Sequence, residues 1–190
     1  MIKAIFLAAG QSKRIKYENK LVKRYKKTPL INHSLKVLHK SKVNKVIIVL
    51  GHQHKKVKKI IFKNKKNIFI YNKDYKKGMA SSIKVGLKKV ARNDKGFIVV
   101  QSDMPFIKVS DINKIYNSIK LKKFLVHVLK FKNKIGNPIG FDISLTKRFK
   151  KIKGEYGAKF MVKRLKNKTN FIKVNSSKVF KDFDLKKDFN

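Results

Sequence analysis

A loop of small residues followed by cations lies near the start of the chain, in the stretch LAAGQSKRIKYENKL of residues 7–21. Ala8, Ala9 and Gly10 carry little or no side chain, so backbone N–H groups there can approach an anion closely. Arg14 can bind a phosphate with its forked guanidinium, and Lys20 can bind it as a point charge. The stretch has neither the G-x-G-x-x-G fingerprint nor the Walker P-loop pattern. It predicts a phosphate loop of another kind, with a plain turn beside abundant lysines as the alternative.

A single carboxylate follows a second apolar run, in the stretch GFIVVQSDMP of residues 96–105. Asp103 is one of only 10 acidic residues in the chain, and Pro105 stiffens the backbone beside it. Magnesium prefers hard oxygen ligands and is commonly bound by one or two carboxylates together with substrate phosphates. Asp103 is therefore a candidate magnesium ligand, and an ordinary turn aspartate is the alternative.

Apolar runs that alternate with amphipathic segments predict the elements that position these residues. Strands are predicted at 2–8, 45–51, 68–72, 96–105, 124–131 and 171–175, and helices at 28–41, after 51, from 79, from 110 and at 157–167. Thr28 and Ser110 are predicted as helix N-caps. Repeated β-α-β units with strands buried on both faces predict a three-layer α/β/α sandwich with a mostly parallel sheet, formed by a single domain over residues 1–190. Ligands of such sheets bind outside the carboxyl ends of the strands, where the loop and Asp103 both fall.

The net charge of +41 makes any basic patch hard to interpret. Lys and Arg together number 51, only five of them Arg, and the lysines are spread over the whole chain. Such a balance is typical of nucleic-acid-binding proteins. However, the lysines are spread evenly and Asn and Ile are also abundant, which favours A/T-rich coding drift as the origin of the charge. A basic nucleic-acid-binding protein is retained as an alternative function.

Several classes of protein are excluded by composition. No cysteine is present, which excludes disulfides and thiolate metal sites. The longest apolar run, residues 4–9, is far too short to span a membrane and does not resemble a secretory signal. We expect a cytoplasmic protein with no membrane partner and no specific nucleic-acid partner.

A series of motifs in the same order along the chain resembles the molybdenum-cofactor nucleotidyltransferases, and most closely the cytidylyltransferase branch of that family. The matching stretches are LAAGQSKRI followed by NKL, GMASSIKVGL, SDMP, GNPIGF, GEYGAKFMV and KDFDLKKDF. They cover nearly the whole chain. The resemblance implies a Rossmann-like nucleotide-diphospho-sugar transferase fold.

The resemblance also implies roles for the residues of the first loop. Leu7, Ala8 and Ala9 match backbone contacts to the nucleotide base and ribose. Gly10 and Ser12 match the start of the phosphate loop.

Other matched positions lie further along the chain. Arg14 matches the signature arginine, Lys20 the lysine that contacts the triphosphate, and Asp103 the magnesium ligand. Ser82 matches a serine near the base and ribose, and Asp74 is a further candidate on the base side.

The second substrate is expected beside Asn137 and Pro138, in the stretch that resembles the pterin pocket. Asp184 matches a terminal aspartate that binds metal or orients the site. The chain departs from the family pattern at Lys16, where a glycine is usual. Further departures are Glu155 in place of Asp, Lys159 in place of Arg, and Leu185-Lys186 in place of Thr-Pro.

The reaction that the resemblance implies is magnesium-dependent transfer of CMP from CTP to the phosphate of molybdopterin, with release of pyrophosphate. The product would pass to a molybdoenzyme recipient. A guanylyltransferase, or a nucleotidyltransferase for another small phosphorylated acceptor, is the alternative within the same fold.

Overall fold

The computed structural model describes residues 1–12 and 19–189. The strands of these residues are β1 (Ile2–Ala8), β2 (Arg24–Tyr25), β3 (Thr28–Pro29), β4 (Lys45–Leu50), β5 (Asn67–Tyr71), β6 (Gly96–Gln101), β7 (Val126–Phe131), β8 (Lys134–Asp142) and β9 (Thr169–Lys173). The α-helices are α1 (Leu30–Lys40), α2 (His54–Lys59), α3 (Met79–Leu87), α4 (Val109–Lys120), α5 (Thr146–Phe149) and α6 (Ala158–Arg164). Within the described ranges, no helix is long and apolar enough to cross a membrane.

Seven of these strands form one twisted sheet in the order β5-β4-β1-β6-β8-β7-β9. All neighbouring pairs are parallel except the two that involve β8, which runs antiparallel to β6 and β7. Strand β1 lies at the centre and is buried along its length apart from half-buried Leu7. All six predicted strands are present within two residues of their predicted bounds, except that the strand predicted at 96–105 ends at Gln101. The mostly parallel sheet is confirmed.

Helices cover both faces of this sheet and make two hydrophobic cores. Leu35 of α1 and Ile115 of α4 pack on one face, with Phe6 of β1. Ile83 of α3 and Met161 of α6 pack on the other face, with Ile5 and Leu7 of β1. Alternate residues of one strand thus serve opposite cores, as a strand between two helical layers requires. The three-layer prediction is confirmed.

Two helix starts differ from the prediction. Thr28 and Pro29 form the short strand β3, so α1 begins one residue later with Pro29 at its N-cap position. Helix α4 begins at Val109, and Ser110 lies inside its first turn. The Asp111 carboxylate accepts the Lys108 backbone N–H at 2.9 Å, so an acidic side chain in the first turn takes the capping role.

Strand β8 was missing from the prediction because glycine and proline interrupt its apolar pattern. A Cβ atom on Gly140 would lie 2.5 Å from Ile115 of α4, and one on Gly96 would lie 2.3 Å from the Phe141 carbonyl oxygen. These glycines allow α4 and β8 to approach closely, which a longer side chain would prevent. The stretch GNPIGF is therefore a sheet strand and not a loop.

Candidate active site

A cavity of about 390 Å³ opens at the carboxyl ends of β1 and β6. It is lined by Leu7, Ala9, Gly10, Gln11, Ser12, Lys20, Leu21, Tyr75, Lys76, Gly78, Met79, Ser82, Gln101, Ser102, Asp103, Glu155 and Asp184. This is the position at which open parallel sheets bind ligands. The structure thus brings most of the sequence-predicted residues together in one cavity.

The loop after β1 rests on the end of β4. The Ala9 carbonyl oxygen accepts the His52 backbone N–H at 3.2 Å. A Cβ atom on Gly51 would lie 2.7 Å from the Ala9 Cβ and 2.7 Å from the Tyr75 Cβ, so only glycine fits behind the loop. Gly10 is exposed, and no atom lies within 4 Å of the place where its Cβ would be. The loop is therefore held firmly from behind and open toward the cavity.

A hydrogen bond between Ser12 and Lys20 connects the two ends of the predicted phosphate loop. The φ of Ser12 is +54°, and its hydroxyl accepts the Lys20 backbone N–H at 3.1 Å. Asn19, which is buried, accepts the Leu21 N–H at 3.1 Å and so fixes the chain beside Lys20. Arg14 and Lys16 lie outside the described residues, and the role of Arg14 stays a prediction.

Lys20 lies between two carboxylates at the centre of the cavity. Its ammonium is 2.6 Å from Asp103 Oδ2 and 2.7 Å from Asp184 Oδ1. Burial alone would lower the pKa of Lys20, but the charge of Asp103 and hydrogen bonds to both carboxylates outweigh it and raise the pKa. The ammonium is therefore firmly protonated and held at this point.

The last residues of the described chain bring Asp184 to the site. The Phe183 N–H donates to the Asp103 carbonyl oxygen at 3.0 Å, and the buried Phe183 ring packs edge-on against Tyr25. The Asp188 carboxylate accepts the backbone N–H groups of Asp184 and Leu185 at 3.0 and 2.8 Å. A carboxylate thus closes the turn at the position where Leu185-Lys186 stands in place of the Thr-Pro expected from the resemblance.

A second set of hydrogen bonds fixes the start of α3. Asn72 is 1% exposed, and its amide donates to the hydroxyls of Ser81 and Ser82 at 2.9 and 3.0 Å. Ser82 lines the cavity and is held in place by this bond. Asp74 does not line the cavity; its exposed carboxylate pairs with Lys77 at 2.8 Å.

The segment around Glu155 closes over the N-terminus of α3. The Gly154 carbonyl oxygen accepts the Ala80 N–H at 3.0 Å, and Glu155 Oε2 accepts the Met79 N–H at 3.3 Å. Gly78 has a φ of +93°, and a Cβ there would lie 2.5 Å from the Gly154 carbonyl. These contacts satisfy backbone donors that would otherwise face the cavity, and they place Glu155 in its wall.

The acidic residues beside Lys20 suit a divalent cation. Asp103 Oδ1 is buried and has no hydrogen-bond partner in the described part of the chain. Burial, and then the nearby carboxylates of Asp103 and Asp184, raise the pKa of Asp182. No group of three or more His, Cys, Asp or Glu suited to a metal occurs among residues 1–12 and 19–189. Two carboxylates completed by substrate phosphate oxygens are an arrangement that magnesium accepts.

Asn137 and Pro138 lie on β8, outside the set that lines the cavity. The pairing of Val99 with Ile139 in the antiparallel β6–β8 register brings Asn137 toward the same sheet edge as the cavity-lining Gln101. Asn137 Oδ1 is buried without a hydrogen-bond partner among the described residues. Ala8 is buried beneath the first loop and does not line the cavity.

Residues 4–169 match the family described as the MobA-like NTP transferase domain. The chain belongs to this family. The Bifunctional protein GlmU of Clostridioides difficile (strain 630) is 27% identical over 140 residues, which cover 73% of this chain and 29% of that protein. The chain thus spans less than a third of the length of the curated relatives it matches.

Solved structures share the fold of this family member across nearly its whole length. Rv0371c from Mycobacterium tuberculosis H37Rv gives a TM-score of 0.87 at 20% identity, covering 99% of this chain and 95% of that one. The structure of its complex with manganese gives a TM-score of 0.81 at 18% identity, covering 99% of this chain and 95% of that one. Molybdopterin-guanine dinucleotide biosynthesis protein A from Archaeoglobus fulgidus gives a TM-score of 0.73 at 17% identity, covering 98% of this chain and 94% of that one. The predicted nucleotide-diphospho-sugar transferase fold is confirmed.

Sequence reasoning missed several residues of the candidate site. Tyr75, Lys76 and Gln101 line the cavity, and Asn72 orients a residue that does. Gln101 could have been found as the polar end of a buried strand, and Glu155 as one of few acidic residues. Nothing in the sequence distinguishes Lys76 from the many other lysines of the chain.

Proposed function

We propose that this protein is a metal-dependent nucleotidyltransferase that transfers a nucleoside monophosphate from an NTP to the phosphate of a small acceptor. The observation that carries the proposal is the Lys20 ammonium held between Asp103 and Asp184 in a cavity that the first loop borders. A lysine and two carboxylates at the carboxyl end of a parallel sheet supply the opposite charges that a triphosphate with its metal requires.

The chemistry needs no side-chain general base, because the attacking phosphate oxygen of the acceptor is already ionised. That oxygen forms a bond to the α-phosphorus while the bond to the β-phosphate oxygen breaks, and pyrophosphate leaves. Catalysis of this kind rests on positioning and on neutralisation of charge.

Each part of the site has a place in this scheme. The backbone from Leu7 to Ser12 would bind the nucleotide, with the open face of Gly10 toward the phosphates. Lys20 would bind the triphosphate. Asp103 and Asp184 would hold magnesium, which would supply positive charge to neutralise the phosphate oxygens of the nucleotide and of the departing pyrophosphate.

CTP and molybdopterin are the substrates we propose first. The colinear motifs of the molybdenum-cofactor family support them, and so does the fold shared with the Archaeoglobus fulgidus protein named for molybdopterin-guanine dinucleotide biosynthesis. Gln101 and Asn137, at the same sheet edge, would contact the acceptor beside Pro138. A molybdoenzyme would receive the product, in the cytoplasm.

A sugar phosphate is the second candidate acceptor. The fold shared with a putative glucose-1-phosphate thymidylyltransferase from Bacillus anthracis favours it, with a TM-score of 0.74 at 17% identity over 92% of this chain and 87% of that one. The two candidates share the same loop, lysine and carboxylates, and they differ only in what fills the acceptor side of the cavity.

Pyrophosphate release tests the proposal and separates the acceptors. Each NTP is offered with molybdopterin or with a panel of sugar 1-phosphates, in the presence of magnesium. We expect release with CTP and molybdopterin, and its loss in Asp103→Asn. Asp74→Asn is the matched control, because Asp74 pairs with Lys77 at the surface and should retain activity. Absence of pyrophosphate with every pairing, from folded protein, would refute the proposal.

A further inference from the structure

The Lys20 ammonium takes the place in which a cation would bind between the two carboxylates. It donates to Asp103 Oδ2 at 2.6 Å and to Asp184 Oδ1 at 2.7 Å, while its side chain is only 14% exposed. These are short, charge-assisted bonds in a partly dehydrated site. In this state one oxygen of each carboxylate that would bind a metal, Asp103 Oδ2 and Asp184 Oδ1, is engaged by a charge of the chain itself.

An ammonium and a divalent ion cannot share these oxygens. Magnesium and manganese bind carboxylate oxygens at about 2 Å, so an ion on Asp103 would lie within a few ångströms of the Lys20 nitrogen. Like charges at such a distance repel strongly in a partly buried site. The Lys20 ammonium must therefore leave Asp103 Oδ2 and Asp184 Oδ1 before a metal binds those two oxygens.

A displaced Lys20 needs another anion. The ammonium makes ion pairs with both carboxylates, and moving it while it stays buried and unpaired is costly. The cavity that Lys20 borders is the one proposed for the triphosphate, and the first loop lies on its wall. A triphosphate would offer oxygens to Lys20 and bring ligands for the metal at the same time.

We propose that Lys20 is an internal latch that keeps divalent metal out of the site until a nucleotide arrives. This inference rests on the proposed function, because it assigns an order to the binding of the same metal and nucleotide. The nucleotide-free protein binds divalent ions weakly. A triphosphate draws Lys20 onto its phosphates, and the metal enters with the nucleotide or after it.

Manganese binding to the nucleotide-free protein tests the latch without any turnover. Free Mn²⁺ is followed by electron paramagnetic resonance in the wild type, Lys20→Met and Lys76→Met. Lys76 is the matched control, because it lines the same cavity yet pairs with neither carboxylate in the described ranges. Loss of a charge-assisted competitor should tighten Mn²⁺ binding about tenfold or more in Lys20→Met. The same affinity in both variants would overturn the latch.

Chemical labelling of the wild type gives a second test that needs no variant to fold. An amine-reactive reagent is applied to the nucleotide-free protein without metal and at Mn²⁺ concentrations well above its measured dissociation constant, so that the weak site is filled, and modified lysines are identified by mass spectrometry. Labelling of Lys20 should be low without metal and rise with it, while labelling of exposed Lys76 stays constant. Labelling of Lys20 that does not change with metal contradicts the latch. Pyrophosphate release from a protein that fails these two tests would leave the proposed function standing and remove only the latch.

Discussion

Gly51→Ala perturbs the nucleotide loop from behind without altering any group that would touch a substrate. The added Cβ would lie 2.7 Å from the Ala9 Cβ, 2.7 Å from the Tyr75 Cβ and 2.8 Å from the Ala9 carbonyl oxygen. All three are main-chain atoms or are bonded directly to the main chain, so no flexible side chain can turn away. The first loop or the segment at Tyr75 must move instead.

The size of the effect follows from that geometry. Carbon atoms pack at about 3.5–4.0 Å, so relief of the contact requires movement of roughly an ångström. Overpacking of this kind lowers the free energy of unfolding by about 1–3 kcal/mol. A shift of about 1 Å in groups that position a substrate lowers the rate on the order of 100-fold. Gly51→Ala should therefore lose both stability and kcat/KM for the nucleotide.

Gly10→Ala provides the contrast. Its Cβ would meet no protein atom within 4 Å, so the unfolding free energy should change by less than about 0.5 kcal/mol. The new methyl group would instead occupy space in front of the loop and weaken nucleotide binding. Urea unfolding followed by circular dichroism, with isothermal titration of a non-hydrolysable NTP, measures both quantities. Unchanged nucleotide affinity in Gly10→Ala would refute the assignment of this loop to phosphate binding.

Three further predictions concern stability and positioning. The side chain of Asp94 is 1% exposed and pairs with Lys3 at 2.8 Å, so Asp94→Ala should lower the free energy of unfolding in urea by about 3–5 kcal/mol. Asp74→Ala at the surface should lower it by less than about 1 kcal/mol, and equal losses would contradict this prediction. Burial lowers the pKa of His127 from 6.5 to about 4. Between these values the unfolded chain binds a proton at His127 and the folded chain does not, so the free energy of unfolding should fall as the pH drops from about 6.5 toward 4. His127→Gln should flatten the dependence of the free energy of unfolding on pH in this range, and an unchanged dependence would refute the role of His127. Asn72→Leu removes the amide that holds Ser82 and should raise KM for the nucleotide; an unaltered KM would show that Ser82 needs no such support.

The parts of the fold that were predictable are those set by local pattern. Strands such as β1 and β4 are continuous apolar runs, and their burial on both faces forces helices onto both sides. Strand β8 was not predictable by this route, because Gly140 is present for its small size beneath Ile115 of α4. Its place depends on a contact between elements, which a local pattern does not contain.

The candidate site was also predictable only in part. Gly10, Lys20 and Asp103 follow strands or match motifs, so their position at one sheet edge could be predicted. The bridge from Lys20 to Asp184 joins residues 164 positions apart, and no spacing rule predicts it. The turn at Asp184 was uncertain from sequence because Thr-Pro is missing, and the structure shows that Asp188 closes it.

Transfer of label from an α-³²P nucleoside triphosphate tests the central claim most directly. Labelled CTP is incubated with magnesium, the acceptor and either wild-type protein or Asp103→Asn, and the products are separated by chromatography. The account predicts label in the acceptor with the wild type, in the amount of pyrophosphate released, and none with Asp103→Asn. Pyrophosphate without label in any acceptor, or equal transfer by both proteins, would contradict it.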